Sequence, residues 1–386
     1  MEILPRLLNI KLPARQSAFL WGARKTGKST YLKQAFPSSL AFDFLKTDVA
    51  LDFTKRPALL REQILAKDPE SLKNPIILDE VQKVPGVLDE VHGLIESHGL
   101  RFILCGSSAR KLKRGKANLL GGRAWRYEMF PLVTSELEDF DLLKALNRGM
   151  IPSHYFQETY RKSLAGYIQD YLKEEVFAEG LTRNIPGFAR FFDAMGSSHG
   201  ELLNFANIGR DAGIDAKTVR EYFQILVDTL LGRMVEPFTK KISRQILTKA
   251  VKFYLFDVGV AGAVIKRHVP EERGPGFGRA FEHFILMELA AHASYRDLHY
   301  PIRYWRTKTG HEVDFVLGDG EAAVEVKGSR RVDSNELKSL GVFLDEYAPA
   351  SAIVVCNERE ERRVGRIRVM PWRRFLSELW DGKIIS

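Results

Sequence analysis

Two sets of residues in this chain have types and spacings that could do chemistry. The first is Gly22-Ala23-Arg24-Lys25-Thr26-Gly27-Lys28-Ser29-Thr30, with Asp79-Glu80 further along. Glycines in such a loop let backbone N–H groups curl around a phosphate. Lys28 can then reach the β- and γ-phosphates of a nucleotide, and the Ser29 hydroxyl can bind Mg²⁺. The acid pair suits the same reaction, Asp79 holding Mg²⁺ through water and Glu80 polarising the attacking water. The other role open to Glu80 is to cap the helix that follows. The second set is Asp314 in GHEVDFVLG with Glu325 and Lys327 in EAAVEVKGS. Two carboxylates and water suit Mg²⁺, a hard octahedral ion, and a nearby lysine can position or activate a nucleophilic water. Phosphodiester cleavage needs that combination.

The elements around each set must position it. SAFLW reads as a strand, the loop follows, and STYLKQAF reads as a helix, which is the context a phosphate loop requires. Ile76 to Leu78 form a buried strand that brings Asp79 to its C-terminal tip, where ligands bind in open α/β sheets. RFILCGSS is another buried strand ending at Gly106, and Ser107 at its tip is the candidate sensor of the γ-phosphate. Beyond it, LLGGRAWRYEMFPL carries Arg123 and Arg126. Arg123 is the better candidate for a guanidinium offered to a neighbouring subunit's nucleotide, with a structural salt bridge as its alternative. The second set follows a glycine-rich linker, ERGPGFG, in the order helix, strand, strand, strand, helix, strand. Period-two alternation puts Glu325 and Lys327 on one face with Val324 and Val326 on the other, and sets Val313, Phe315 and Leu317 opposite Asp314.

Between the two sets, residues 135 to 190 have helical spacing punctuated by Pro152 and Pro186, as in a lid or connector. ELLNFANIGRDAGIDAKTVREYFQILVDTLLGRMVEPF reads as helix, short helix, a turn at Gly213, a longer helix and a strand. That is the helix-turn-helix pattern. Leu202, Ile208, Val219, Phe223 and Leu226 make its core. Lys217, Thr218 and Arg220 face outward at the start of the recognition helix, and a wing would carry Lys240, Lys241 and Arg244 at its tip. Such modules contact DNA or serve only for packing. The charge favours the first role: the chain of 386 residues carries a net +9, clustered in RKLKRGK, TKKISRQ and ERRVGRIRVMPWRR. The two cysteines, Cys105 and Cys356, lie in apolar runs and suggest neither a disulfide framework nor a zinc site. No apolar stretch is long enough for a bilayer, so a cytoplasmic protein without membrane association is expected.

WGARKTGKST, LDEVQKVP, CGSS and LGGRAWRYEMFPL together resemble the bacterial and archaeal AAA-type ATPases whose second half has long been called a domain of unknown function. The likeness continues through YIQDYLKEEV, KFYLFDVGVAGAV and FEHFILMEL and covers essentially the whole chain. The chain departs from the family in having Ala23 where proline commonly follows the first glycine. The last segment resembles the PD-(D/E)XK nuclease superfamily, especially its Holliday-junction-resolvase branch. By that resemblance Asp314 and Glu325 are metal ligands, Lys327 is the catalytic lysine, and Glu282 on the first helix is a further acid. Glu288 competes for that place, but six residues along a helix turn it well away from Glu282. A nuclease-like fold does not by itself imply cutting.

The expectation is therefore an α/β chain: a P-loop AAA-type ATPase core over 1–134, a helical lid or connector over 135–200, a winged-helix-like domain over 201–270, and an αβββαβ nuclease-like domain over 271–386. Its cofactors would be ATP and Mg²⁺, with no small-molecule substrate beyond ATP. Its partners would be DNA, branched DNA included, and further copies of itself, a hexamer being one closed form. The function expected is a motor that remodels or translocates on DNA while the last domain grips or cuts it. A reading of another class is a nucleotide-gated signalling or defence switch, with the last domain as effector or docking module.

Overall fold

The computed structural model describes residues 4–107, 120–172, 184–239 and 250–385. The basic run RKLKRGK and the wing residues Lys240, Lys241 and Arg244 lie outside them. The chain divides into two units, one formed by residues 6–131 with 228–231, the other by the remainder.

The first unit contains β1 (Ser17–Trp21), α1 (Lys28–Ala35), β2 (Ala41–Asp43), α2 (Thr47–Lys55), α3 (Leu59–Leu65), β3 (Ile76–Asp79), α4 (Val87–His98), β4 (Phe102–Gly106) and β5 (Ala124–Glu128). The strands form one parallel sheet in the order β2-β3-β4-β1-β5. β1, β3 and β4 are covered on both faces, so they read as unbroken apolar runs without alternation. Phe19, Leu78, Phe102 and Leu104 pack in one core with Leu60 and Ile64 of α3 and Val87, Val91 and Leu94 of α4. The register of the strands aligns their tips. Trp21 lies level with Gly106, and Asp79 with Cys105, so the chain leaves β1, β4 and β3 at one height.

The second unit opens with short helices, α5 (Leu142–Arg148), α6 (Pro152–Tyr155), α7 (Tyr160–Gly166) and α8 (Ile185–Gly196). Pro152 and Pro186 both fall in first turns, where a missing N–H leaves no helical bond unmade. The helix-turn-helix follows as α9 (Phe205–Ala212) and α10 (Ala216–Asp228), with Gly213 between them. Residues 201–204 are not the helix the sequence suggests: Leu202 bridges Lys252, and the Asn204 side chain caps α9 and so fixes where helix begins. β6 (Gly232–Pro237) and β7 (Lys252–Leu255) pair antiparallel, and α11 (Val258–Val264) follows.

The last segment runs α12 (Gly274–Tyr295), β8 (Ile302–Arg306), β9 (Glu312–Leu317), β10 (Ala322–Val326), α13 (Lys338–Tyr347), β11 (Ser351–Cys356), β12 (Arg362–Val364), β13 (Ile367–Pro371) and α14 (Trp372–Trp380). The αβββαβ order is present and is extended by two strands and a helix. Most of the supposed linker ERGPGFG is helical. α12 starts at Gly274 because Pro275 is well placed in a first turn, and Phe277 is then buried against the core. The sheet has the order β12-β13-β11-β10-β9-β8-β6-β7. β6 joins it by parallel pairing of Glu236 with Arg303 and Pro237 with Tyr304, so the β6–β7 pair that follows the helix-turn-helix and the strands of the last segment share one sheet.

Each face of this sheet has its own core. Phe315, Leu317 and Val324 pack with Phe281, Phe284 and Ile285 of α12. Trp305, Val313, Val316 and Ala323 pack with Leu340 and Phe343 of α13. Val313 therefore does not share a face with Phe315 and Leu317, as simple alternation implies. The cause is a bulge: Arg303 pairs with Val316 and Trp305 with Val313, so β9 carries one residue more than β8 between those pairs. A bulge reverses the face of every residue beyond it, and here it lies at Asp314. Among the described residues no helix is long and apolar enough to cross a membrane.

Candidate functional site

In the first unit the loop between β1 and α1 is built to bring backbone close to a ligand. Gly27 has φ 99°, a conformation that only glycine adopts without strain. At Gly22 a Cβ would lie 2.5 Å from the Met129 carbonyl oxygen. Arg6 braces the loop from outside, its guanidinium donating to the carbonyls of Thr26 at 2.6 Å and Phe130 at 2.8 Å. Nothing in the sequence pattern marks Arg6. Thr26 donates to the Ala23 carbonyl, Arg24 and Lys25 lie along the loop, and Thr30 is exposed on the first turn of α1. The Lys28 ammonium donates to the carbonyls of Gly22 at 2.6 Å and Ala23 at 3.1 Å, so it lies inside the loop's curl.

Across the crevice, the Ser29 hydroxyl donates to Asp79 Oδ2 at 2.6 Å. A hydroxyl and a carboxylate that meet this closely form the donor pair that Mg²⁺ takes beside a nucleotide, so these residues fit the ion. Glu80 is buried and has φ 57°, the kind of backbone strain that collects at functional sites. It precedes a short 3₁₀ turn, Val81–Lys83, and its side chain makes no capping bond there. Burial pushes the Glu80 carboxyl above its ordinary range, with Lys28 opposing. Gln82, which sequence reasoning missed, joins the site together. Its Nε2 donates to Glu80 Oε2 at 2.6 Å and to the Ser107 hydroxyl at 3.2 Å. Gly106 makes room for it: a Cβ there would lie 2.2 Å from Gln82 Oε1. Arg123 lies elsewhere. Its carbonyl accepts from the N–H of Ser17 at the start of β1, the end of the sheet away from the loop, and its guanidinium pairs with Glu96. It cannot reach its own subunit's nucleotide site. Arg126 is exposed on the edge strand β5.

In the second unit, the ladder between β9 and β10 ends at Phe315 and Val324. Beyond that pair, side chains replace the missing ladder bonds. Asp314 Oδ2 accepts from the Val326 N–H at 2.8 Å, and Glu325 Oε2 accepts from the Asp314 N–H at 3.3 Å. Lys327 Nζ lies 2.5 Å from Glu325 Oε1. Glu282 accepts from the Tyr254 hydroxyl at 2.5 Å, and the buried Lys252 Nζ lies 2.6 Å from Glu312 Oε1 and 3.5 Å from Glu282 Oε1. The sequence reading includes Asp314, Glu325, Lys327 and Glu282 but not Lys252, Tyr254 or Glu312. Alternation could have found Glu312, which shares a face with Asp314, whereas Lys252 and Tyr254 share one face of a strand but nothing local ties that strand to the cluster. Burial, followed by repulsion from Asp314, pushes Glu325 up to about 8 and Glu282 up to about 7. Burial pulls Lys252 down, but Glu282, Asp314 and Glu312 outweigh it and hold the ammonium above the usual lysine range. Among the described residues no three His, Cys, Asp or Glu side chains are gathered as a metal site. These carboxylates, each bonded to a protein donor, do not fit a divalent ion as they stand. Glu288 is structural, accepting from Trp380 Nε1 at 2.8 Å and from the Thr134 N–H at 2.8 Å.

Of the helix-turn-helix residues, Lys217 is exposed, Arg220 stacks 5.0 Å over the Phe205 ring, and the Thr218 hydroxyl is engaged by Asp215 at 2.6 Å in capping α10. A charged surface that the sequence indicated only in part lies past the C-terminal ends of β10 and β11. A groove of about 1180 Å³ there is lined by Arg330, Arg331, Arg359 and Arg362 together with Asp333, Glu358, Glu360 and Glu361. Glu358 is taken by Arg362, and Glu361 and Glu378 by Arg368 and Arg374. Arg330, Arg331 and Arg359 make no ion pair with a described residue, and all three are exposed.

A parallel sheet in this order, with a phosphate loop after β1 and an acid pair at the tip of β3, is the P-loop fold of AAA domains. Residues 14–138 match the AAA domain family, residues 139–271 a domain of unknown function (DUF8612), and residues 277–375 a domain of unknown function (DUF4143). The chain thus joins an N-terminal segment that matches the AAA domain family to a C-terminal segment that matches DUF4143. It is 26% identical over 305 residues to uncharacterized proteins of Mycobacterium tuberculosis and Mycobacterium bovis, covering 77% of this chain and 66% of each relative. It therefore spans just under two thirds of the length of these relatives. An uncharacterized protein of Methanocaldococcus jannaschii is 26% identical over 180 residues, covering 46% of this chain and 39% of the relative. Among solved structures, the Aeropyrum pernix ORC1 protein in complex with DNA is similar at 12% identity and a TM-score of 0.23, over 65% of this chain and 86% of that one. A STAND signal-transduction ATPase with a tetratricopeptide repeat sensor, from Pyrococcus horikoshii, is similar at 13% identity and a TM-score of 0.20, over 77% of this chain and 51% of that one.

Proposed function

We propose that the protein is an ATP-hydrolysing, oligomeric DNA motor whose C-terminal sheet grips the nucleic acid on which the ATPase acts. The observation that carries the ATPase half is the Gln82 amide, which bonds Glu80 and Ser107 at once beside a loop that encloses Lys28. In the reaction, a water held by Glu80 attacks the γ-phosphorus, the bond to the β–γ bridging oxygen breaks, and ADP departs. The water's proton passes to the Glu80 carboxylate, whose burial raises its affinity for a proton. Mg²⁺, which Ser29 and Asp79 would hold, supplies charge neutralisation at the β- and γ-phosphates when bound. Lys28 adds a second positive charge there, and Ser107 reports occupancy to Glu80 through Gln82. Arg123 of a neighbouring subunit completes the charge stabilisation, released from its pairing with Glu96 as subunits assemble.

The DNA half is supported by the helix-turn-helix and by three exposed arginines that make no ion pair with a described residue. A protein that neutralises phosphates releases condensed counterions and gains affinity by doing so. The test is ATP turnover of the full chain with and without duplex and four-way-junction DNA. A motor's turnover rises several-fold with DNA and falls back as salt weakens binding. Slow turnover that DNA does not change would sink this reading in favour of a nucleotide-gated switch.

A further inference from the structure

We propose that Lys252 is a built-in cation standing where a nuclease of this fold class would hold a divalent metal, so that the nuclease-like sheet holds nucleic acid without cutting it. The inference deepens the gripping role proposed above and rests on that reading for its functional meaning, though not for its geometry.

Lys252 is only 4% exposed, and its ammonium lies among the acids rather than beside them. Its Nζ is 2.6 Å from Glu312 and 3.5 Å from Glu282, and the Asp314 carboxylate also favours its charged form. Each carboxylate of the cluster also has another protein partner. Glu282 accepts from Tyr254, Glu312 also pairs with Arg306 at 3.2 Å, Asp314 accepts from the Val326 N–H, and Glu325 binds Lys327. A buried ammonium needs such partners to be tolerated, and a buried carboxylate cluster needs a cation. Each supplies what the other lacks. A divalent ion brought to the same oxygens would meet a positive charge a few ångströms away in a poorly screened interior, and the repulsion would have to be overcome before any ligand bond was gained. Without that ion the carboxylates have nothing with which to generate a hydroxide or to stabilise a pentacovalent phosphate, whatever the placing of Lys327.

The position of Lys252 in the chain adds a second consequence. It is the first residue of β7, the return strand of the β6–β7 hairpin, whereas Glu282 is on α12 and Glu312 on β9. The ion pairs therefore staple the hairpin to the nuclease-like sheet. A metal would bind the acids to one another and leave the hairpin out.

The experiment is Mn²⁺ titration of the full chain without nucleotide, followed by electron paramagnetic resonance, with supercoiled DNA nicking assayed on the same samples. Wild type is expected to show no Mn²⁺ site that depends on Asp314 and no nicking. Lys252→Gln should gain one Mn²⁺ site at least tenfold tighter than any such binding in wild type, and Lys252→Gln with Asp314→Asn should lose it again. Folded Lys252→Gln protein that gains no site overturns the proposal. If that variant fails to fold, wild type and Asp314→Asn decide alone, because an Mn²⁺ site or nicking in wild type that vanishes in Asp314→Asn also overturns it. DNA affinity measured in parallel separates the two readings. Its absence removes the gripping function and leaves the Lys252 assignment standing, whereas an Asp314-dependent metal site removes the assignment and leaves DNA binding untouched.

Discussion

Replacing Arg330, Arg331 and Arg359 together by glutamine should flatten the salt dependence of DNA binding by an amount set by the groove. Each arginine that neutralises one duplex phosphate contributes about 0.9 to the slope of log affinity against log salt. Three such contacts contribute about 2.7. Between 50 and 200 mM salt the logarithm changes by about 0.6, so wild type should lose roughly 40-fold more affinity than the variant over that range. The assay is fluorescence anisotropy of a labelled duplex at several salt concentrations. The fold should be undisturbed, because the three side chains are exposed and make no ion pair with a described residue; the cost should stay within about 0.5 kcal/mol. Arg368 provides the contrast. Its guanidinium pairs with Glu361 at 2.8 Å and with Glu378 at 2.9 Å, so Arg368→Gln should lower the melting temperature and leave the salt slope nearly unchanged. A triple variant with the wild-type slope would refute the assignment of the groove to phosphate contacts.

Glu80→Gln should bind ATP about as well as wild type and hydrolyse it at least a hundredfold more slowly, since the carboxylate acts on the water rather than on the resting nucleotide; nucleotide-binding fluorescence with single-turnover hydrolysis checks both halves. Mixing Arg123→Ala with Lys28→Ala subunits should recover part of the activity each lacks alone, because some interfaces then pair an intact loop with an intact arginine, and oligomers shown to contain both variants without any recovery would return Arg123 to a structural role. Glu288 sets a pH dependence. Burial raises it from 4.5 to about 7, so the folded chain binds that proton more tightly than the unfolded chain, and stability should fall as pH rises between those values. The tighter proton binding of the folded chain corresponds to at most about 3 kcal/mol. Glu288→Gln keeps an acceptor for Trp380 and should abolish that decline in denaturant melts run from pH 5 to 8.

Much of the candidate site in the first unit was legible because its residues are local in sequence. Gly22 to Thr30 make one loop, and Asp79 and Glu80 follow one apolar run, so spacing alone brings them to strand tips at one end of a parallel sheet. Gln82 was not legible, since its role depends on the space above Gly106, which is a matter of packing between β3 and β4. In the C-terminal sheet, alternation identified Asp314, Glu325 and Lys327 but misplaced Val313, because one extra residue in β9 changes the face without any mark in composition. Lys252 could not be assigned to the cluster by sequence distance, being 60 residues before Glu312. The basic runs showed the opposite difficulty. ERRVGRIRVMPWRR reads as one positive patch, yet Arg362, Arg368 and Arg374 are committed to Glu358, Glu361 and Glu378, and the free guanidinium groups of the groove lie mostly before that run.

The parallel pairing of β6 with β8 also governs how this protein can be dissected. The family boundary between residues 271 and 277 looks like a place to cut, but a fragment beginning there would lose the strand that covers β8 and the Phe238 ring that packs against Phe343 and Tyr347. Its edge would then offer the unpaired backbone of Ile302–Arg306, with the buried Tyr304 and Trp305 beside it, to any other extended chain. Such a fragment should aggregate on expression, whereas one beginning near residue 132 carries its own edge protection and should stay monodisperse. Insertions, fusions and proteolytic nicks between β7 and α12 face the same restriction, for the two family segments fold as partners in one hydrogen-bonded surface.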